Sequence, residues 1–303
     1  MSSIIVLNKK NIVSNGFNNT LRYNFTNSSN FKDMELAVNH IQIYNSQFNI
    51  TSAFNNNTFS VQVPTAATYQ TVPISLPDGY YSYSDMTNYI TNQLIAIGAY
   101  LIDNNANKIT YIRISENPTY YSAQIDLLAT PTSLPTGWSK PSTGLYSSTG
   151  TGLPTASNTP TITIPNNGFS PVVGFAPATY PSTSQTSNQS FLSTFTPSIN
   201  PTSSYLVRCN LVNNRVSNPP DILTTFSTQG TTIGDLIDVD PHELSWVKVN
   251  DGAYANLTLT IVDQDFNNVS FKDPSILITL LLREQNSSSV SYTHLTLPTN
   301  REV

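Results

Sequence analysis

The densest group of ionisable side chains is Asp238-Val-Asp-Pro-His-Glu243. Asp238, Asp240 and Glu243 are hard oxygen ligands of the kind a divalent cation takes, with backbone carbonyls completing the shell. The D-x-D-x-D-G spacing of a calcium loop is missing, however, and the Asp240-Pro241 step favours a turn. The segment is read as an ordinary turn. Cys209 is the single cysteine. A nucleophilic thiol needs a base or a cation beside it, whereas Leu206, Val207 and Leu211 around Cys209 describe a buried strand. No H-x-x-x-H pair joins the histidines His40, His242 and His294. Asp78 and Asp85 flank Gly79-Tyr-Tyr81, but glycoside hydrolysis needs two carboxyl groups facing each other across a cleft. Asp78-Gly79 has the form of a turn, and Asp85 that of a helix-start residue. Phosphate-binding glycine loops are absent. Sequons at Asn24 and Asn49 arise by chance in a chain roughly a third Asn, Ser and Thr. No signal peptide is read in MSSIIVLNKKN, so they are expected to carry no glycan. No catalytic, cofactor-binding or metal-binding residue is assigned, and the chain is read as not an enzyme.

Composition agrees with that poverty. Of 303 residues only 10% are charged, and the net charge is −5. No basic block offers the electrostatic footprint of nucleic-acid binding, and no run of about eighteen apolar residues spans a membrane. One cysteine cannot close an internal disulfide, which fits synthesis in a reducing compartment. With 38% hydrophobic residues, 16 Tyr and 13 Phe, the chain is too apolar for disorder. Tyr and neutral amides make surfaces that bury without the desolvation cost of charge. Such surfaces suit wide, permanent protein contacts or sugar binding.

Period-2 alternation dominates the pattern. Strands are predicted at 21–26, 35–44, 58–63, 69–76, 108–114, 122–127 and 161–164, then at 205–212, 222–226, 244–249, 257–262 and 276–282. Within 35–44 the phase changes between Val38 and Ile41, which asks for a bulge or two-sided burial. Pro73 makes 69–76 an edge strand. Ile276-Leu-Ile-Thr-Leu-Leu-Leu282 is nearly continuous and is expected to be buried on both faces. One helix is predicted, with Ser84 as its cap and Met86, Tyr89, Ile90, Leu94 and Ile97 at helical spacing, ending near Gly98. The Pro/Thr/Ser/Gly run 129–160 lacks apolar residues and is expected to be a surface excursion or a disordered loop. The fold class is all-β: a sandwich with an insertion carrying one helix and long Ser/Thr/Pro-rich loops.

The tail Val290-Ser-Tyr-Thr-His-Leu-Thr-Leu-Pro-Thr-Asn-Arg-Glu-Val303 resembles the translation of a sequencing adaptor. It is set aside as non-native, with His294, leaving 1–289 for the fold reading; the natural chain is expected to end near Ser289 or to continue into other sequence.

Several strings then become specific when taken in order. They are Asn49-Ile-Thr-Ser-Ala-Phe-Asn-Asn-Asn-Thr-Phe59, Leu76-Pro-Asp-Gly-Tyr-Tyr-Ser-Tyr-Ser-Asp-Met-Thr-Asn-Tyr-Ile90, and Phe169-Ser-Pro-Val-Val-Gly-Phe175 with Tyr180-Pro181. Val207-Arg-Cys-Asn-Leu-Val-Asn-Asn214, Leu257-Thr-Leu-Thr-Ile-Val-Asp-Gln264 and Asp273-Pro-Ser-Ile-Leu-Ile-Thr-Leu-Leu-Leu-Arg283 follow. Together, over most of 45–283, they resemble the penton (minor capsid) proteins of virophages and polinton-like DNA viruses. The run 129–160 and the tail depart from that pattern. The resemblance implies a single jelly roll with upright strands and an insertion at about 78–204 on the outward side. It implies a homopentamer at each icosahedral vertex of the virion, surrounded by the double-jelly-roll major capsid protein and made in the host cytoplasm. Direct nucleic-acid contact is not expected. The short length and polar spacing of the residues before Asn18 are compatible with an arm under neighbouring subunits. From the residues alone, a viral fibre head or lectin-like β-sandwich binding carbohydrate fits equally well; the resemblance favours the capsid reading.

Overall fold

The computed structural model describes residues 2–285. The adaptor-like segment 290–303 lies outside the described residues. The chain divides into two compact units, one formed by both ends of the sequence and one by residues 46–203.

The first unit begins with β1 (Ser2–Asn8), β2 (Thr20–Phe31) and β3 (Met34–Tyr44). The second holds β4 (Thr58–Pro64), β5 (Tyr69–Ser75), α1 (Tyr83–Ala96), β6 (Leu101–Ile102), β7 (Lys108–Ile109), β8 (Ile112–Asn117), β9 (Ser122–Leu127), β10 (Thr161–Ile164), α2 (Phe169–Val173), β11 (Ala178–Tyr180) and β12 (Gln189–Leu192). The chain then returns to the first unit with β13 (Ser204–Cys209), β14 (Ile222–Ser227), β15 (Leu236–Val239), β16 (Val247–Lys248), β17 (Gly252–Asp263) and β18 (Ile276–Glu284).

Strand order fixes the architecture of the first unit. One sheet runs β1-β18-β3-β15 and the other β14-β13-β17-β2, all antiparallel. Lettered B to I in chain order, with β16 left aside, these eight strands give B-I-D-G and F-E-H-C. Every connection crosses between sheets except β13 to β14. That double Greek key is a jelly roll. Alternate residues from both sheets meet between them: Leu7, Leu36 and Ile41 from one, Leu21, Val207 and Leu259 from the other, all fully buried. Tyr205 packs against Phe226 and Phe271 at 5.1 and 5.6 Å between ring centroids.

The phase change in β3 is a bulge. Thr279 of β18 faces His40 and Leu280 faces Val38, so Asn39 has no opposite residue. The extra residue rotates the strand, and Leu36, Val38, Ile41 and Ile43 are all buried. Strand β18, by contrast, is not buried on both faces. Ile276, Ile278, Leu280 and Leu282 enter the core, while Leu277, Thr279 and Leu281 are only partly covered. Its continuous apolar run therefore reports a second, half-covered face.

In the second unit, β4 and β5 pair with each other and β4 with β10, in a sheet of order β11-β10-β4-β5. None of these pairs with a jelly-roll strand, so the compact division falls after Asn45, whereas the sequence reading starts the insertion near 78. β5 is an edge strand, and its Pro73 stands opposite Ser60. The second sheet, β12-β9-β8, lies against α1, which buries Tyr83, Met86, Ile90 and Leu94.

The cap of α1 is Ser82 rather than Ser84. Ser82 Oγ accepts from the Asp85 amide at 3.1 Å, and Asp85 Oδ2 accepts from the Ser82 amide at 2.9 Å. The box needs cap and carboxylate three residues apart, which Ser84 and Asp85 are not. Ser82→Ala is expected to cost about 1 kcal/mol. Thermal denaturation should show a fall of about 2–4 °C in the transition of this unit.

The run 129–160 is an ordered excursion, not a disordered loop. Leu145 and Tyr146 donate their amides to the carbonyls of Ile97 and Gly98 at 2.8 and 2.9 Å. Tyr146 is 1% exposed, and its hydroxyl donates to the Pro64 carbonyl at 2.9 Å. Gly98 and Gly144 permit this approach: each has positive φ, and a Cβ on Gly98 would lie 2.4 Å from the Thr143 carbonyl oxygen. Two glycines and one tyrosine anchor a stretch that composition alone marks as loose.

Candidate self-association surface

The residues singled out for chemistry are used as structure. β15 and β16 both pair with β3, at Tyr44–Ile41 and at Leu36–Glu35. They are two parts of one interrupted strand, and residues 240–246 form the excursion between them. Asp240, His242 and Glu243 lie on that excursion, while Asp238 Oδ1 sits 3.2 Å from His40 Nε2 with its side chain 53% exposed. Among the described residues, no three His, Cys, Asp or Glu side chains converge as a metal site would require. Trp246, at the end of the excursion, covers the Arg283 guanidinium at 3.8 Å from the ring centroid. Arg283 in turn donates to Glu35 Oε2 at 3.0 and 3.1 Å.

Cys209 lies in the jelly-roll core, and desolvation pushes its thiol up to about 12. A disulfide reagent such as dithionitrobenzoate should therefore leave it unmodified in the folded protein and react fully in denaturant. Rapid reaction under native conditions would contradict the burial. Asp78 Oδ1 accepts from the Ser52 amide at 2.7 Å. Asp85 closes the helix cap, and the Ser82 hydroxyl and amide hold its carboxyl below the usual range. Asn24 sits in β2 opposite Asn256. Asn49 is 4% exposed, with its amide donating to the carbonyls of Tyr81 and Ile199 at 2.8 and 2.9 Å.

The noteworthy surface is the half-covered side of the β1-β18-β3-β15 sheet, away from the jelly-roll core. β1 is an edge strand whose Ile5 and Leu7 enter the core while Ile4 and Val6 point the other way, 66% and 47% exposed. Ile4 stands opposite Leu281, and Leu236 adds an exposed apolar side chain on β15. At one end of this face a groove of about 410 Å³ is lined by Lys9, Lys10, Gln42, Tyr44, Leu236 and Leu277. β1 has none of the usual protection of an edge: no proline, no charge and no bulge. β15 is short, with charge along it and an interruption after it.

The two edges differ in charge at the same height. Asn8, Leu277, Gln42 and Asp238 form one rung across the four strands. Lys9 and Lys10 follow that rung at the β1 edge, and Asp235 and Asp238 flank or occupy it at the β15 edge.

Sequence reasoning weighed Ser2–Asn8 only as a leader or an arm and missed β1. The signal was present in the unbroken apolar run Ile4-Ile-Val-Leu7, whose β-branched residues have high β-propensity. Ser2–Asn8 is paired with β18 of its own chain.

The arrangement defines a jelly-roll protein, an architecture shared by viral capsid and lectin domains. Neither a protein-family model nor a curated protein sequence matches the chain. Among solved structures it is similar to the penton protein of mavirus, with a TM-score of 0.43 and 11% identity over 93% of this chain and 97% of that one. It is also similar to a chain in the 3.5 Å cryo-EM structure of the Sputnik virophage, with a TM-score of 0.38 and 13% identity over 94% and 98%. The jelly-roll assignment rests on strand order and register. Among the described residues, no helix is long and apolar enough to cross a membrane.

Proposed function

We propose that this chain is a structural capsid protein that forms the homopentameric penton at icosahedral vertices of a virion and contacts a surrounding major capsid protein. It works by shape and self-association rather than by catalysis. The observation that carries the reading is the first jelly-roll sheet, with an unprotected apolar edge beside Lys9 and Lys10 and an acidic edge at Asp235 and Asp238. Opposite edges of opposite charge favour a head-to-tail contact, and head-to-tail contacts close into a ring when the rotation between successive subunits divides the full circle evenly. The four strands alternate in direction, so β1 of a second copy comes alongside β15 antiparallel without the subunit turning over. The number five follows from the penton resemblance. Low charge, at 10% of residues, suits a subunit enclosed by other protein. Synthesis in the host cytoplasm accords with the single, buried cysteine.

A charge-swap cycle tests the edge assignment. Lys9→Glu with Lys10→Glu should weaken association, measured by light scattering, and adding Asp238→Lys to the same chain should restore part of it. Association indifferent to both changes would remove this contact.

A further inference from the structure

In the inserted unit, the sheet β12-β9-β8 has two faces, one turned into the core of that unit and one turned out of it. Ala123, Ile125 and Leu127 of β9 are buried, so Ser122, Gln124 and Asp126 lie on the other side. Register places Arg113, Asp126 and Ser190 on one rung across the three strands. Asp126 Oδ2 accepts from Arg113 Nη2 at 2.7 Å and Nε at 3.2 Å. Its Oδ1 accepts from Gln124 Nε2 at 2.7 Å and Ser190 Oγ at 2.8 Å. Gln124 Oε1 accepts from Asn117 at 2.7 Å, which fixes the orientation of its amide. Desolvation pushes the Asp126 carboxyl up, but the Arg113, Gln124 and Ser190 donors outweigh it and hold the group low and ionised. Arg113 is thereby pinned while its side chain stays 63% exposed, with N–H donors to spare.

Two clefts adjoin along this ladder. One, of about 550 Å³, is lined by Arg113, Gln124, Asp126, Asn188, Gln189 and Ser190. The other, of about 450 Å³, shares Thr87 and Arg113 with it and is lined further by Tyr80, Tyr81, Tyr83, Glu116 and Asn200. Both volumes fall in the range of ligand sites. Tyr80 is 41% exposed, with its hydroxyl donating to Asn200 Oδ1 at 2.9 Å.

We propose that these joined clefts bind a neutral oligosaccharide. Tyrosine rings cover the C–H faces of sugar rings, and a row of fixed amide, hydroxyl and guanidinium groups meets their hydroxyls. Charge selects against polyanions: Arg113 is neutralised by Asp126, and Glu116 is the remaining charged lining residue. A protein partner would seek dry apolar anchor pockets, whereas these clefts set hydroxyls, amides and the Arg113 guanidinium among the apolar side chains of Ile112, Ile114, Leu128 and Ile199. The site lies wholly within the inserted unit and stands whether or not the jelly roll forms pentamers.

The test is titration calorimetry of the full chain with cellohexaose, maltohexaose and mannohexaose, with a heparin hexasaccharide as the polyanion. At least one neutral hexasaccharide should bind. Tyr80→Ala and Arg113→Gln should each weaken it about tenfold. Tyr80→Phe, which keeps the ring, should stay within about threefold of the parent. Unchanged melting of Tyr80→Ala guards against misfolding. Three results would overturn the proposal: no neutral hexasaccharide bound at millimolar concentration, binding untouched by both substitutions, or binding of the heparin fragment alone.

Discussion

A chain lacking Ser2–Asn8 is expected to lose its folded jelly roll. The deletion removes a seven-residue ladder against β18 and the buried side chains of Ile5 and Leu7. It also leaves the outer edge of β18 unpaired and opens the core beside Leu280 and Leu282. Burial of two such side chains contributes about 3–6 kcal/mol before any ladder hydrogen bond is counted. That is a large part of the roughly 5–15 kcal/mol by which domains are stable. Circular dichroism melting and the soluble yield would show it, as aggregation or a single early transition belonging to the inserted unit. An unchanged melting profile would mean that the segment is an arm after all.

Ile4→Lys with Val6→Lys should do the opposite: spare the fold and abolish association. Both side chains are already 66% and 47% exposed, so neither substitution opens the core, and charged residues are the usual guard of an edge strand. Melting of the isolated subunit should move by no more than about 2–4 °C. In an assembled ring each subunit contributes this pair to one interface. Loss of two apolar contacts, with two charges buried in their place, should raise the dissociation constant per interface by about a hundredfold or more. Sedimentation velocity at micromolar concentration distinguishes the species. If the double variant associates as the parent does, the β1 edge is not the contact.

These two experiments turn on a strand that the sequence reading passed over, and the reason is physical. Alternation is legible when enough repeats stand together, as in residues 257–262. In Ser2–Asn8 every residue from Ile4 to Leu7 is apolar, because one side meets the core and the other is an exposed face. The same ambiguity led Ile276–Leu282 to be read as buried on both sides. Local chemistry was otherwise clear. The phase slip of 35–44 became the bulge at Asn39, Pro73 marked an edge, and Cys209 is a core thiol. What stayed hidden depends on partners far apart in sequence. Nothing near Gly144 announces that it must pass Gly98. Nothing in β9 alone announces that Asp126 will be held by Arg113 on one side and Ser190 on the other. The acidic run at 238–243 drew notice for its density, yet its geometry is that of an interrupted edge strand.

The proposed assembly is a ring of five formed through the jelly roll. Native mass spectrometry of the purified full chain, at ionic strength low enough to preserve charge contacts, tests it most directly. The prediction is a dominant species of five times the chain mass that falls apart to monomer as salt is raised. A stable monomer or trimer under those mild conditions would contradict it.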